Sequence, residues 1–297
     1  LDLARPQLVG ILNLTPDSFS DGGALLGPDR QRVDVDAVLR KAEALVRAGA
    51  DVLDLGGEST RPGAEPVPPE VERDRVLPAL LAIAARIDAP LSIDTRRAEV
   101  AASALAAGAS MVNDVSGFGD PAMGALVAAT GAAWVLMHMP HPVGQMAWSR
   151  AAFAMPEATD AGLQRIADDL AAAVARAQAA GVARHRLVVD PGLGFGKSLQ
   201  QNLALLRPGG PLGRLGLPIY LGPSRKSFLA AASRLSGRAD RQAGSADPHS
   251  GVDPGDRLAG TAAAVALAVL AGAAFVRVHD VAAMRQALDV AVAVRDA

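Results

Sequence analysis

Eight short apolar runs recur along the 297-residue chain, and each ends on a polar or charged side chain. The runs occupy 8–14, 51–56, 90–95, 110–115, 133–139, 186–192, 218–224 and 274–280. Their endings are Asn13, Asp54, Asp94 with Thr95, Asn113 with Asp114, His138, Asp190, Ser224-Arg225-Lys226, and Arg277 with His279. The runs are nearly continuous rather than alternating, as expected of strands buried on both faces of a parallel sheet. An ionisable group at the end of such a strand needs solvent, a partner or a ligand. Eight such endings predict a ring of strands turned towards one shared site. Between the runs lie helical patterns. Residues 35–50 place Val38, Ala42, Leu45 and Val46 on one face and stop at Gly49. Further helices are expected at about 69–87, 98–108, 121–131, 162–181, 202–206, 256–272 and 281–295. The phrase Ala-Gly-Ala precedes strands at 48–50, 107–109 and 271–273, where glycine supplies a left-handed helix end. The alternation predicts an α/β fold, a single (β/α)8 barrel domain over 1–297 with its site at the C-terminal face of the strands. A doubly wound open sheet would need a glycine-rich fingerprint after the first strand, and LVGILNLTPDSF has none.

Composition narrows the chemistry. Half of the residues are hydrophobic, which supplies a large core and argues against disorder. The net charge of −2 argues against nucleic acid or an anionic membrane as partner. The absence of cysteine removes disulfides, thiolate metal sites and thiol catalysis, and fits a cytoplasmic setting. No secretory signal is evident at the N-terminus. Residues 258–276 carry no charge, but alanine and glycine dominate them, so they read as a buried helix followed by a strand. Segments 20–34, 140–159 and 237–255 read as loops following strands.

Several motifs carry chemistry. Gly192 to Ser198 (GLGFGKS) resembles a phosphate-binding loop, yet Pro191 stands where the nucleotide pattern needs glycine. A glycine-rich strand-to-helix turn remains, in which Asp190 serves equally well as a structural cap or a ligand group. His138 and His141 have a spacing used by metal ligands, but prolines interrupt them and no third ligand is near. Asn13, followed by Asp17 and Asp21, offers oxygen atoms that suit a weakly held Mg²⁺. Arg277 and His279 point the same way on the eighth strand and, with Arg225 and Lys226, suit a phosphate group; a charge network with Asp280 and Asp256 is the alternative.

Taken together, these segments resemble the dihydropteroate synthase family. The resemblance rests on 11–23 (ILNLTPDSFSDGG), 54–63 (DLGGESTRPG), 92–95 (SIDT), 112–115 (VNDV), 190–197 (DPGLGFGK), 224–227 (SRKS) and 277–280 (RVHD). It covers residues 8–280 in order and decays after the fifth strand, where MHMPHPVGQM keeps only the start of the family pattern. The resemblance implies a transferase of folate biosynthesis, and a sulfonamide target. Its substrates would be (7,8-dihydropterin-6-yl)methyl diphosphate and 4-aminobenzoate, its products 7,8-dihydropteroate and diphosphate, and its cofactor Mg²⁺. It further implies early C–O cleavage to a pterin-methyl cation.

By the same resemblance Asp94, Asn113, Met137, Asp190, Phe195, Gly222 and Lys226 would hold the pterin. Asn13, Thr60, Arg277 and His279 would hold diphosphate, with Asn13 also on the metal. Phe19, Arg61, Pro62, Arg225 and Ser227 would enclose 4-aminobenzoate, and Asp21, Asp94 and Lys226 would be catalytic. A homodimer is implied. Two rivals are a methyltetrahydrofolate-dependent methyltransferase, which would leave Arg277 and His279 without purpose, and a non-catalytic pterin-binding paralogue.

Overall fold

The computed structural model describes residues 2–16, 25–27, 32–59, 65–140, 159–235 and 257–297. Phe19, Asp21, Thr60, Arg61 and Pro62, with His141 and the 237–255 loop, lie outside them. Within the described residues the chain runs β1 (Gln7–Asn13), α1 (Val35–Arg47), β2 (Val52–Gly56), α2 (Pro69–Ala84), β3 (Leu91–Asp94) and α3 (Ala98–Ala106). It continues through β4 (Met111–Asp114), α4 (Pro121–Thr130), β5 (Ala133–Met137), α5 (Thr159–Ala179) and β6 (Leu187–Asp190). Then come α6 (Leu199–Leu205), β7 (Ile219–Leu221), α7 (Ser227–Leu235), α8 (Leu258–Leu270), β8 (Ala273–Val278) and α9 (Val281–Asp296). The eight strands pair in parallel and in sequence order, and β8 closes on β1 as a barrel.

Two sequence expectations shift. The sixth helix begins at Leu199 rather than near residue 202, because Ser198 and Gln201 form a reciprocal capping box that starts it early. A helix at Ser227–Leu235, absent from the predicted set, follows β7. The Ala-Gly-Ala glycines take the left-handed conformation expected of them, with φ of +101° at Gly49, +109° at Gly108 and +89° at Gly272. No described helix is long and apolar enough to cross a membrane.

Apolar packing forms two layers. Outside the barrel, residues such as Leu53, Leu55, Ile93, Trp134 and Val276 pack against the inner faces of the helices. Inside, Val9, Val52, Met111, Val135, Val188, Tyr220 and Phe275 form a separate cluster, with Tyr220 and Phe275 stacked at 5.9 Å. Each fully buried side chain of this size contributes about 1.5–3 kcal/mol. Side chains alternate along a strand, so a residue two positions beyond an interior one also faces inward. That rule takes Val9 to Ile11 and Asn13, Val52 to Asp54, and Met111 to Asn113. It takes Val135 to Met137, Val188 to Asp190, Tyr220 to Gly222, and Phe275 to Arg277. A greasy plug therefore fills the bottom of the barrel, and polar groups line its mouth.

Candidate active site

Strand register aligns the predicted residues in two sets. Asn13 pairs with Gly56, Gly56 with Asp94, Asp94 with Asn113, and Met137 with Asp190. At the centre Arg277 reaches across from β8. Its Nε donates to Asp54 Oδ2 at 2.6 Å and its Nη2 to Asp94 Oδ2 at 2.8 Å. Asn113 Nδ2 donates to the same Asp54 oxygen at 3.1 Å, which orients the amide. Asp54 is fully buried, and the site assignments made from sequence passed it over. Its signal was available: it ends the second apolar run and stands two residues beyond the interior Val52.

Electrostatics at the mouth is tense. Burial raises Asp94 to about 7, with Arg277 opposing and the neighbouring carboxylates of Asp54, Glu72 and Asp114 adding to the rise. Burial also raises Asp190 to about 6, against the Gly192 hydrogen bond and the charges of Lys226, Lys197 and Arg277. The two carboxylates hold Arg277 well above the ordinary arginine value despite its burial.

Asp190 is both cap and candidate ligand. Its Oδ1 accepts the Gly192 amide at 2.7 Å. In the turn that follows, the Phe195 ring lies under Lys226, whose Nζ is 3.9 Å from the ring centroid. Met137 is buried at the end of β5, and Gly222 follows β7. His279 Nδ1 lies 3.0 Å from Ser224 Oγ.

The rim beside α7 departs from the phosphate reading at Arg225. Arg225 pairs with Asp280 through both carboxylate oxygens, at 2.9 and 2.6 Å, and its backbone has φ +58°. The charge-network alternative therefore holds for Arg225, while Arg277 turns inward to Asp54 and Asp94. Ser227 begins α7 with a buried hydroxyl that has no hydrogen-bond partner among the described residues. Other strand endings prove structural. Asp114 holds the Ser116 amide and hydroxyl and the Phe118 amide, and Thr95 accepts from the Arg97 amide.

A second cluster, missed from sequence, stands beyond the ends of β2 and β3, against α2. Glu58 accepts from Arg96 at 2.8 Å, from Arg97 at 2.8 Å and from the Val67 amide at 3.3 Å. Arg97 also pairs with the fully buried Glu72 and donates to the Val67 carbonyl at 2.6 Å. Burial works against ionisation of Glu58, but Arg96 and Arg97 prevail and hold its carboxyl below the usual range. No cysteine or histidine cluster announces such a knot; only the meeting of two loops creates it.

Residues 9–279 match the pterin binding enzyme family. The chain is 46% identical over 291 residues to the dihydropteroate synthase of Mycobacterium leprae, covering 98% of this chain and 94% of that protein. Among solved structures, the Yersinia pestis dihydropteroate synthase in a sulfonamide drug complex superposes with a TM-score of 0.83 at 37% identity, covering 100% of this chain and 97% of that one. The Xanthomonas albilineans dihydropteroate synthase with 4-aminobenzoic acid gives 0.80 at 40%, covering 100% and 96%. A barrel mouth lined with carboxylates and amides, and relatives of this similarity over nearly the whole chain, lead to one conclusion: the chain belongs to the dihydropteroate synthase family, pterin-binding transferases of folate biosynthesis.

Proposed function

We propose that the mouth of this barrel, within a single pterin-binding domain over 1–297, joins (7,8-dihydropterin-6-yl)methyl diphosphate to 4-aminobenzoate. The observation that carries the assignment of residues is the inward-facing set of Asp94, Asn113, Asp190 and Arg277 at the barrel mouth, with Arg277 bonded to Asp94. A pterin presents an amide N–H and a 2-amino group on one edge, and Asp190 is a nearly buried carboxylate that can accept both. Asn113 and Asp94 meet other ring heteroatoms, and Met137, Phe195 and Gly222 line the faces. Lys226, held over Phe195, closes the pocket.

The reaction breaks the C–O bond to diphosphate, which leaves with the electron pair. The lone pair of the 4-aminobenzoate nitrogen then forms the new C–N bond, and that nitrogen gives up a proton. Positive charge on the pterin-methyl carbon is favoured by the Asp94 carboxylate and by Asp21. Thr60, His279 and Arg277 hold the departing diphosphate, Arg277 through N–H groups other than those given to Asp54 and Asp94. The 4-aminobenzoate carboxylate approaches the start of α7, where Ser227 and the helix N-terminus favour an anion. Arg225, Phe19, Arg61 and Pro62 enclose the rest.

For the metal, no group of three or more His, Cys, Asp or Glu among the described residues could hold an ion. Asn13, half-buried at the end of β1, offers an amide oxygen. That fits Mg²⁺, which keeps several waters and takes other ligands from substrate phosphates. A bound Mg²⁺ would supply positive charge that stabilises the leaving diphosphate. The proposal includes a cytoplasmic setting and a homodimer. For the dimer, support comes from α8 and α9, which pack on each other and carry five exposed large apolar residues: Leu258, Leu267, Leu270, Val290 and Val294.

The test mixes both substrates with Mg²⁺ and measures diphosphate and dihydropteroate. The expected result is stoichiometric release of both, abolished in Asp190→Asn. Turnover of that variant at the normal rate would overturn the residue assignment, and methyl transfer from methyltetrahydrofolate would favour the rival reaction.

A further inference from the structure

Behind the pterin pocket runs a polar chain that the reading above does not use. Lys197, in the turn after β6, is only 5% exposed. Its ammonium donates to the His138 carbonyl at 3.0 Å and the Phe195 carbonyl at 2.9 Å, and lies 2.7 Å from His138 Nδ1. An ammonium has three hydrogens and accepts none. His138 Nδ1 is therefore the bare nitrogen, and its hydrogen sits on Nε2, facing Asp169 Oδ2 on α5 at 3.1 Å. Asp169 is exposed, so the chain runs from the surface, through His138 just beyond β5, to Lys197 and the Phe195 carbonyl.

The same atoms knit the two strand ends. The His138 amide donates to the Asp190 carbonyl at 2.7 Å. Gly192 sits so close that a Cβ there would lie 2.5 Å from the His138 carbonyl oxygen and 3.2 Å from Lys197 Nζ. With all three hydrogens taken, Lys197 has none for a ligand and acts only through its neighbours.

We propose that Lys197, held by His138 and Asp169, is a positioning residue for pterin binding: its buried charge sustains the negative charge of Asp190, and its bond to the Phe195 carbonyl fixes the Phe195 ring. This inference rests on the reading of Asp190 as the carboxylate that accepts the pterin. The charged groups facing Asp190 are Lys197 from its own turn, Lys226 from beyond β7 and Arg277 from β8. Those facing Lys197 are Asp190, Lys226, Asp169 from α5 and the imidazole of His138 from β5. Burial lowers Lys197 to about 7, with Asp190 opposing and Lys226 reinforcing. Burial, then the Lys197 charge, pushes His138 down to about 4, so its ring is neutral near pH 7. Near pH 6, where Asp190 titrates, Lys197 is thus charged, and its removal raises the Asp190 midpoint.

The test measures binding of the pterin diphosphate to the full chain by calorimetry between pH 5 and pH 9. In the native protein, affinity falls as pH drops through about 6. In Lys197→Met the midpoint moves up by about one unit, which weakens binding about tenfold at the acid end, while KM for 4-aminobenzoate is unchanged. Lys197→Gln keeps two donors without the charge; it shows the same midpoint shift with a smaller loss at pH 9. Folded Met or Gln variants with the native midpoint would overturn the proposal, and the Gln variant carries the test if the Met variant does not fold. Asp190→Asn separates the two readings: native-like pterin binding there overturns the role of Asp190, whatever Lys197 does.

Discussion

Asp94 and Asp190 hold charge where the fold would rather not have it. Both carboxyls are raised above their ordinary value of 3.8, to about 7 and about 6. Between about pH 4 and about 7 the folded protein therefore binds more protons than the unfolded chain, and stability falls as pH rises through that window. With Asp190 in its proposed role, pterin binding is expected to rise across the upper part of the same window. Asp190→Asn is thus expected to be about 1–2 kcal/mol more stable than the native chain in urea at pH 8 and to lose pterin binding. A destabilised variant would contradict this. Arg277 works the other way. Arg277→Met strips the cation from the fully buried Asp54 and from Asp94, and is expected to lose about 3–5 kcal/mol at pH 8. The loss should shrink near pH 5, where Asp94 is protonated in either chain; equal losses at both pH values would refute the electrostatic cause. The polar strand endings made Asp94, Asn113 and Asp190 visible in sequence. They did not reveal that Arg277 bridges two carboxylates from β2 and β3, since those partners lie far away along the chain.

At the scale of elements, the loop between β2 and α2 has its two ends tied by one knot. Glu58 accepts the Val67 amide, and Arg97 donates to Glu58, Glu72 and the Val67 carbonyl. Arg97→Met is expected to destabilise the chain by about 3–5 kcal/mol, because Glu72 remains buried without its cation. With Arg61 and Pro62, which fall between the tied ends in the sequence, in their proposed role of enclosing 4-aminobenzoate, it should also raise KM for 4-aminobenzoate more than KM for the pterin. Denaturation with steady-state kinetics on the same preparation checks both, and a uniform rise in the two KM values would sink the loop argument. Helix α6 offers a smaller test. Ser198→Ala removes its cap and should lose about 1 kcal/mol, read as a shift in the urea midpoint with activity retained. The cap was readable as Ser198 and Gln201 three apart. The knot was not, because arginines and glutamates at such positions look the same as a solvated surface.

For the whole molecule, the exposed apolar residues of α8 and α9 predict self-association. The double variant Leu267→Lys, Val294→Glu should shift light-scattering mass from dimer to monomer at micromolar concentration, whereas an unchanged mass would remove these helices from the interface. The order and number of layers were set in the chain itself. Continuous apolar runs can only be buried on both faces, and the helical patterns between them supply the outer cover. The motifs likewise carried family and reaction, because they name residue types in a fixed order. The sequence alone thus determined a barrel, its polar mouth and the class of chemistry. Tertiary structure decided which polar ends face inward, through strand parity measured from the interior plug. It also decided that Arg277 serves Asp54 and Asp94, that Arg225 serves Asp280, and that Lys197 and His138 stand behind Asp190. Those pairings depend on the barrel's closure and register, which set distances between residues up to 223 positions apart, and no local pattern encodes a distance of that kind.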